Sequence, residues 1–150
     1  MDDQPQKRGR QFDHFIGLLF NQLEGVTINV KGSTKTGEVD VYVSCRNAPA
    51  WLCRLVGHGT VLENKWQQNP VEKSEIGKFH DKAQDLAFPC YIAYFISMNG
   101  FSTRDGAQTG AAATLRGCEN PRLVDLVEED VIEMIDDGSP AAKLEERELV

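Results

Sequence analysis

From Gly9 to about Leu23 the residues Phe12, Phe15, Ile16, Leu19, Phe20 and Leu23 recur at helical spacing. That period predicts an amphipathic helix whose apolar stripe faces the core, and Glu24-Gly25 ends it. The period then shortens to two. Val26 to Val30 reads as a first strand and Lys31 to Gly37 as a polar turn. Glu38 to Cys45 is a second strand, with Val39, Val41, Val43 and Cys45 on one side and Asp40, Tyr42 and Ser44 on the other. Arg46 to Gly59 is longer and more apolar than a tight turn needs, carrying Trp51, Leu52, Leu55 and Val56, so a short helical or lid-like excursion is expected. A third strand follows through Val61 to Trp66, with Glu63 and Lys65 on one face and Leu62, Asn64 and Trp66 on the other.

Pro70 introduces a helix in which Ile76, Phe79, Ala83 and Leu86 keep helical spacing. Tyr91 to Met98 is nearly continuous in apolar residues, as expected of a central strand covered on both faces. Strand, helix and strand in succession predict a parallel crossover. Small residues from Gly100 to Ala113 suggest a helix capped by Ser102 or Thr103, followed by a last strand at Leu123 to Val127 and a short helix at Asp130 to Asp137. Residues 1–8 are expected to be loose, 9–138 to form one α/β domain, and 139–150 to be an acidic tail or the start of a linker to a further region.

The chemistry is concentrated in two short segments. If residues 38–45 and 59–66 are antiparallel neighbours joined by a connection centred near Ala50 to Leu52, Asp40 lies across from Glu63 and Lys65. An acid inside a β-rich apolar segment is locally unfavourable and calls for a compensating role. Two converging carboxylates repel unless a cation intervenes, and hard oxygen ligands suit Mg²⁺, with Mn²⁺ as a substitute, better than zinc. A lysine beside them can orient a water or steady charge developing on a phosphate. Glu38, on the face of Asp40, is the alternative ligand. Solvated acids on an exposed edge strand would give the same residues without function.

Gly37-Glu38-Val39-Asp40 followed by Val61-Leu62-Glu63-Asn64-Lys65-Trp66 resembles the D…ExK signature of the PD-(D/E)xK nuclease superfamily. The opening Gly9-Arg10-Gln11-Phe12-Asp13 helix and the Gly100-Phe101-Ser102 turn after the later strand are similar to the Mrr-type restriction endonuclease branch. The likeness spans roughly residues 9–130. It implies a three-layer restriction-endonuclease-like fold with a mixed central β-sheet flanked by helices, and Mg²⁺-dependent hydrolysis of DNA to a 5′-phosphate and a 3′-hydroxyl. It also implies a setting in restriction or anti-phage defence. Asp40 and Glu63 would be the metal ligands, Lys65 the catalytic lysine, and Asp13 an acid aimed from the first helix toward the ion. Asp13 is equally readable as a solvated acid favoured in a helix's first turn. Lys35, Gln67, Gln68 and Lys73 are candidate contacts to the nucleic acid. The alternatives are a non-catalytic nucleic-acid-binding or assembly module on the same fold, and a nuclease acting on RNA or branched DNA.

The net charge of −7 argues against a polyanion partner until it is divided along the chain. From Glu119 onward there are 11 acids and 3 bases, whereas residues 1–118 hold 12 acids and 13 bases, with Lys7, Arg8, Arg10, Lys31 and Lys35 clustered early. Phosphate contacts are therefore permitted by the body of the chain. Cys45, Cys53, Cys90 and Cys118 show no zinc-ligand spacing and no disulfide framework. No apolar run approaches a membrane span and Met1 to Arg10 lacks an apolar signal core, so the cytoplasm is the expected location. Double-strand cutting with one site per chain implies a homodimer or higher oligomer. The open-ended tail suits a front-end effector fused to a C-terminal regulatory or ATPase region.

Overall fold

A computed structural model describes residues 4–34, 37–103 and 110–148 of the chain. The elements run α1 (Gln4–Phe20), β1 (Thr27–Thr34), β2 (Gly37–Ser44), α2 (Ala50–Val56), β3 (Gly59–Lys65), α3 (Lys73–Gln84), β4 (Ile92–Ser97), α4 (Ala111–Arg116), β5 (Arg122–Val127), α5 (Glu128–Asp137) and α6 (Ala141–Glu148). The five strands form one sheet in the order β1-β2-β3-β4-β5. β1, β2 and β3 pair antiparallel, whereas β3, β4 and β5 run parallel. The crossover from β3 to β4 is made by α3.

Helices cover both faces, giving a three-layer α/β fold with a mixed central sheet. On one side Phe12 and Ile16 of α1, Leu52 and Val56 of α2, Met134 of α5 and Leu144 of α6 pack on Val41, Val43, Leu62 and Tyr94. On the other, Ile76 and Phe79 of α3 and Leu115 of α4 pack on Val61, Ala93 and Phe95. All six residues of β4 are buried, as its unbroken apolar run predicted. Each large apolar side chain removed from water in this way contributes about 1.5–3 kcal/mol. The helix predicted after Pro70 starts at Lys73, with the backbone N–H of Glu72 donating to Glu75 at 2.9 Å.

Several elements differ from their sequence-based outlines. α1 begins at Gln4, so part of the expected loose start is helical, and β1 continues through Lys31 into the expected turn. The excursion before β3 is α2. Phe101 bridges to Val71, Ser102 and Thr103 are themselves outside any helix, residues 104–109, where a helix capped by them would start, lie outside the described residues, and α4 is entered through Gly110. A Cβ on Gly110 would lie 2.4 Å from the carbonyl oxygen of Ser102, an approach only glycine permits.

Residues 141–148, expected as an acidic tail or linker, form α6. Lys143, 4% exposed, is held by Asp130 at 3.3 Å and Glu133 at 2.5 Å, and Arg147 pairs with Asp125 at 2.6 Å. These acids recruit the two bases of α6, which is why an acid-rich segment can dock on an acid-rich helix. The cysteines are all free. Among the described residues no helix is long and apolar enough to cross a membrane.

Candidate active site

The β2–β3 ladder runs from Ser44↔Gly59 to Val41↔Leu62 and stops there. One step further, the same register sets Asp40 opposite Glu63, and at this point the two strands part. The alternation of β2 breaks at the same residue. Val41 and Val43 belong to the core under α1, but Val39 packs with Val61 and Phe79 on the α3 side. The single apolar face expected for Val39, Val41 and Val43 is thus split across the sheet. Asp40 occupies the switch, and its carboxylate does what a strand neighbour would have done: Oδ2 accepts the backbone N–H of Asn64 at 2.8 Å.

Three elements converge on that carboxylate. Lys31, in a left-handed conformation at φ 64°, reaches Oδ1 of Asp40 at 3.2 Å and Asp13 of α1 at 2.7 Å. Asn64 donates its side-chain amide to Asp13 at 3.1 Å. Asp13 is therefore buried inside the site rather than solvated. Burial raises its pKa; the ammonium of Lys31 opposes that, the charge of Asp40 adds to it, and the amide of Asn64 opposes it again, leaving a net rise. For Lys31 burial works against the charged form, but the two acids outweigh it and hold the ammonium above the usual lysine value.

Glu63 points to the other face of β3, as alternation requires. It is only 7% exposed. Burial, then the charge of Asp40 and a hydrogen bond to it, push its pKa up to about 8, while Lys65 and Lys82 of α3 pull the other way without offsetting this. Glu63 thus meets Asp40 at the end of the ladder, and Lys65 is close enough to act on Glu63.

Around them lies an open cleft of about 660 Å³. Asp13, Lys31, Asp40, Asn64 and Lys65 line it together with Arg8 and Arg10 of α1. Gln67 and Gln68, candidate nucleic-acid contacts, line it too. Gln67 is fixed there by its side-chain amide, which donates a hydrogen bond to Glu75 at 3.3 Å, and by the Asn99 amide, which donates to its backbone carbonyl. Lys73 is the exposed first residue of α3 and does not line the cleft. Lys35 lies outside the described residues. Glu38, the alternative ligand, is exposed on β2.

Sequence reasoning missed Lys31 and Asn64. Asn64 was placed on the far face of β3, and it is there, but Asp13 meets it on that face. The site straddles the sheet.

Among the described residues no group of three or more His, Cys, Asp or Glu side chains is arranged to hold a metal ion. The donor set on offer is smaller: two opposed carboxylates, Asp40 and Glu63, with mutual repulsion that shows in the raised pKa of Glu63. The buried side-chain oxygen Oδ1 of Asn64 also lacks a hydrogen-bond partner. Two hard carboxylates fit Mg²⁺, which usually keeps several waters and takes only one or two protein carboxylates together with substrate phosphate oxygens. Comparison with protein-family models, with curated proteins and with solved structures finds no match. Function therefore has to be derived from this chain's own geometry.

Proposed function

We propose that the chain is a metal-dependent endonuclease that hydrolyses DNA phosphodiester bonds, built like the PD-(D/E)xK enzymes of the Mrr-type restriction branch and suited to restriction or anti-phage defence. The observation that carries this reading is the meeting of Asp40 and Glu63 where the β2–β3 ladder ends, with Lys65 acting on Glu63, beside a cleft lined by Asp40, Lys65, Arg8 and Arg10.

A Mg²⁺ ion held by Asp40 and Glu63 would supply Lewis-acid polarisation of the scissile phosphate and a water of lowered pKa. Glu63 must shed its proton to act as a ligand, so its raised pKa ties ion affinity to pH. Lys65 orients the attacking water or neutralises the oxygens of the pentavalent phosphorus. Water adds to phosphorus as the bond to O3′ breaks. One proton leaves the water and one reaches O3′, giving a 5′-phosphate and a 3′-hydroxyl. Arg8 and Arg10 hold neighbouring phosphates, and Gln67 and Gln68 offer amides to the backbone or base edges.

One contact favours a second reading. Lys31 already bridges Asp13 and Asp40, as an ammonium would in a nucleic-acid-binding module that has dispensed with an ion.

Metal-dependent nicking of supercoiled plasmid separates the two. The nuclease reading expects cutting in Mg²⁺ or Mn²⁺, and Lys65→Ala losing it with an unchanged thermal melt. A wild-type protein that binds DNA yet leaves plasmid, single strands, RNA and four-way junctions intact in both ions overturns it in favour of the binding module.

A further inference from the structure

Beside the cleft lies a second depression, an apolar slot of about 380 Å³. Its walls are Phe15 of α1, Trp66 at the end of β3, Met98 after β4, and Ile132 and Ile135 of α5. Trp66 is 48% exposed and Phe15 41%, an unusual display of large aromatics around a depression rather than beneath one. The indole is braced from below by buried Phe12, ring centroids 5.5 Å apart at 65°.

Three features select the occupant. Arg8 and Trp66 line both the slot and the cleft, so whatever fills the slot is contiguous with whatever lies in the cleft. The cleft carries four bases, Arg8, Arg10, Lys31 and Lys65, against two acids, Asp13 and Asp40, both paired with Lys31, an excess of positive charge suited to phosphates. The slot's rim carries Gln11, Glu128 and Arg8, hydrogen-bonding groups that match the edge of a heterocycle and have nothing to offer an alkyl chain. Phosphate in one depression and a flat, polar-edged ring in the next is the outline of a nucleotide.

We propose that the slot binds an unstacked nucleobase, against Trp66, of the same strand whose backbone lies in the cleft. This rests on the cleft being a nucleic-acid site, as in the function proposed above, and it narrows the substrate class. A base inside a duplex reaches the slot only by leaving its stack, which costs a few kcal/mol. Single-stranded, mismatched or otherwise opened nucleic acid is preferred over intact duplex.

The test uses Trp66 as its own reporter. The chain has two tryptophans, and Trp51→Phe leaves one. A short single-stranded oligonucleotide and a blunt duplex of the same sequence are titrated in EDTA, following indole emission and, separately, binding. The single strand should quench Trp66 and bind more tightly than the duplex. Removing the stacking face with Trp66→Ala should weaken single-strand binding roughly 5- to 100-fold, and Trp66→Leu, which keeps apolar bulk, should weaken it nearly as much. Binding without quenching, or undiminished parental affinity in both Trp66 variants, overturns the slot's assignment and leaves plasmid nicking to judge the nuclease reading independently. Quenching without cutting under any ion keeps the base site and removes the nuclease. A dimer in sedimentation that Ile132→Glu converts to monomer gives the slot to a second copy of the chain and overturns the proposal.

Discussion

Glu63→Gln separates the electrostatics of the site from its chemistry. A carboxyl raised from 4.5 to about 8 on folding binds its proton more tightly in the folded than in the unfolded state. Between those values the unfolded chain is ionised while the folded one stays protonated, so stability falls as pH rises through that window and levels off above it. At about 1.36 kcal/mol per pH unit the ceiling on this loss is about 5 kcal/mol. Relaxation and water entry around the ionised carboxylate lower it, to roughly 2 kcal/mol. The glutamine keeps an N–H for Asp40 and cannot ionise. In EDTA at pH 8.5 the variant should therefore melt about 4–8 °C above wild type, taking about 2–4 °C per kcal/mol for a chain of this size. At pH 5 the two should coincide. Mg²⁺ at a hundred times Kd should reverse the order, because it adds about 2.7 kcal/mol to wild type alone. Scanning calorimetry from pH 5 to 9, with EDTA or Mg²⁺, reads both effects. Parallel wild-type and variant curves in EDTA, with no Mg²⁺ shift in either, would refute the placement of two opposed acids at an ion site.

The Mg²⁺ concentration for half-maximal nicking should fall about tenfold per pH unit from 6 to about 8 and then flatten, because Glu63 must lose its proton to bind the ion; a flat titration across that range would exclude Glu63 as the titrating ligand. Asp40→Asn should abolish nicking while keeping an acceptor for the Asn64 N–H, whereas Asp40→Ala should cost an additional 1–3 kcal/mol or so in urea denaturation by stranding that donor. Equal stability of the two Asp40 variants would remove the structural half of this role. Leu144→Ala should cost about 2–3 kcal/mol, since the side chain is 1% exposed in the main core; a loss under about 0.5 kcal/mol would mean that α6 is not docked.

Locally encoded features were legible in the sequence. The stripe of α1, the helical spacing after Pro70 and the apolar run of β4 each follow from side chains within one element, and the structure repeats them. So does the sharing of a face by Glu63 and Lys65, which needs only alternation, and the pairing register follows from the length of the connection. What escaped detection depends on elements meeting. The reversal of β2 at Asp40 arises because β3 diverges there, and no property of Glu38 to Val41 announces it. Lys31 looked like a turn residue because the ladder to β2 resumes beyond it, at Gly32↔Val39. Alternation puts Asn64 on its face but gives it no role, because its partner Asp13 arrives from 51 residues away. The docking of α6 was hidden by composition: its acids suggested solvent, while the two bases that anchor it were outnumbered.

Because the carboxylate of Asp40 stands in for a missing ladder bond, the residue is mortar as well as tool. A lineage that gave up cutting would be under pressure to retain an oxygen at this position even after Lys65 had drifted. An inactive cousin should therefore betray itself by asparagine at position 40 beside an altered lysine, and alanine there should be scarce even where the chemistry has been forgotten.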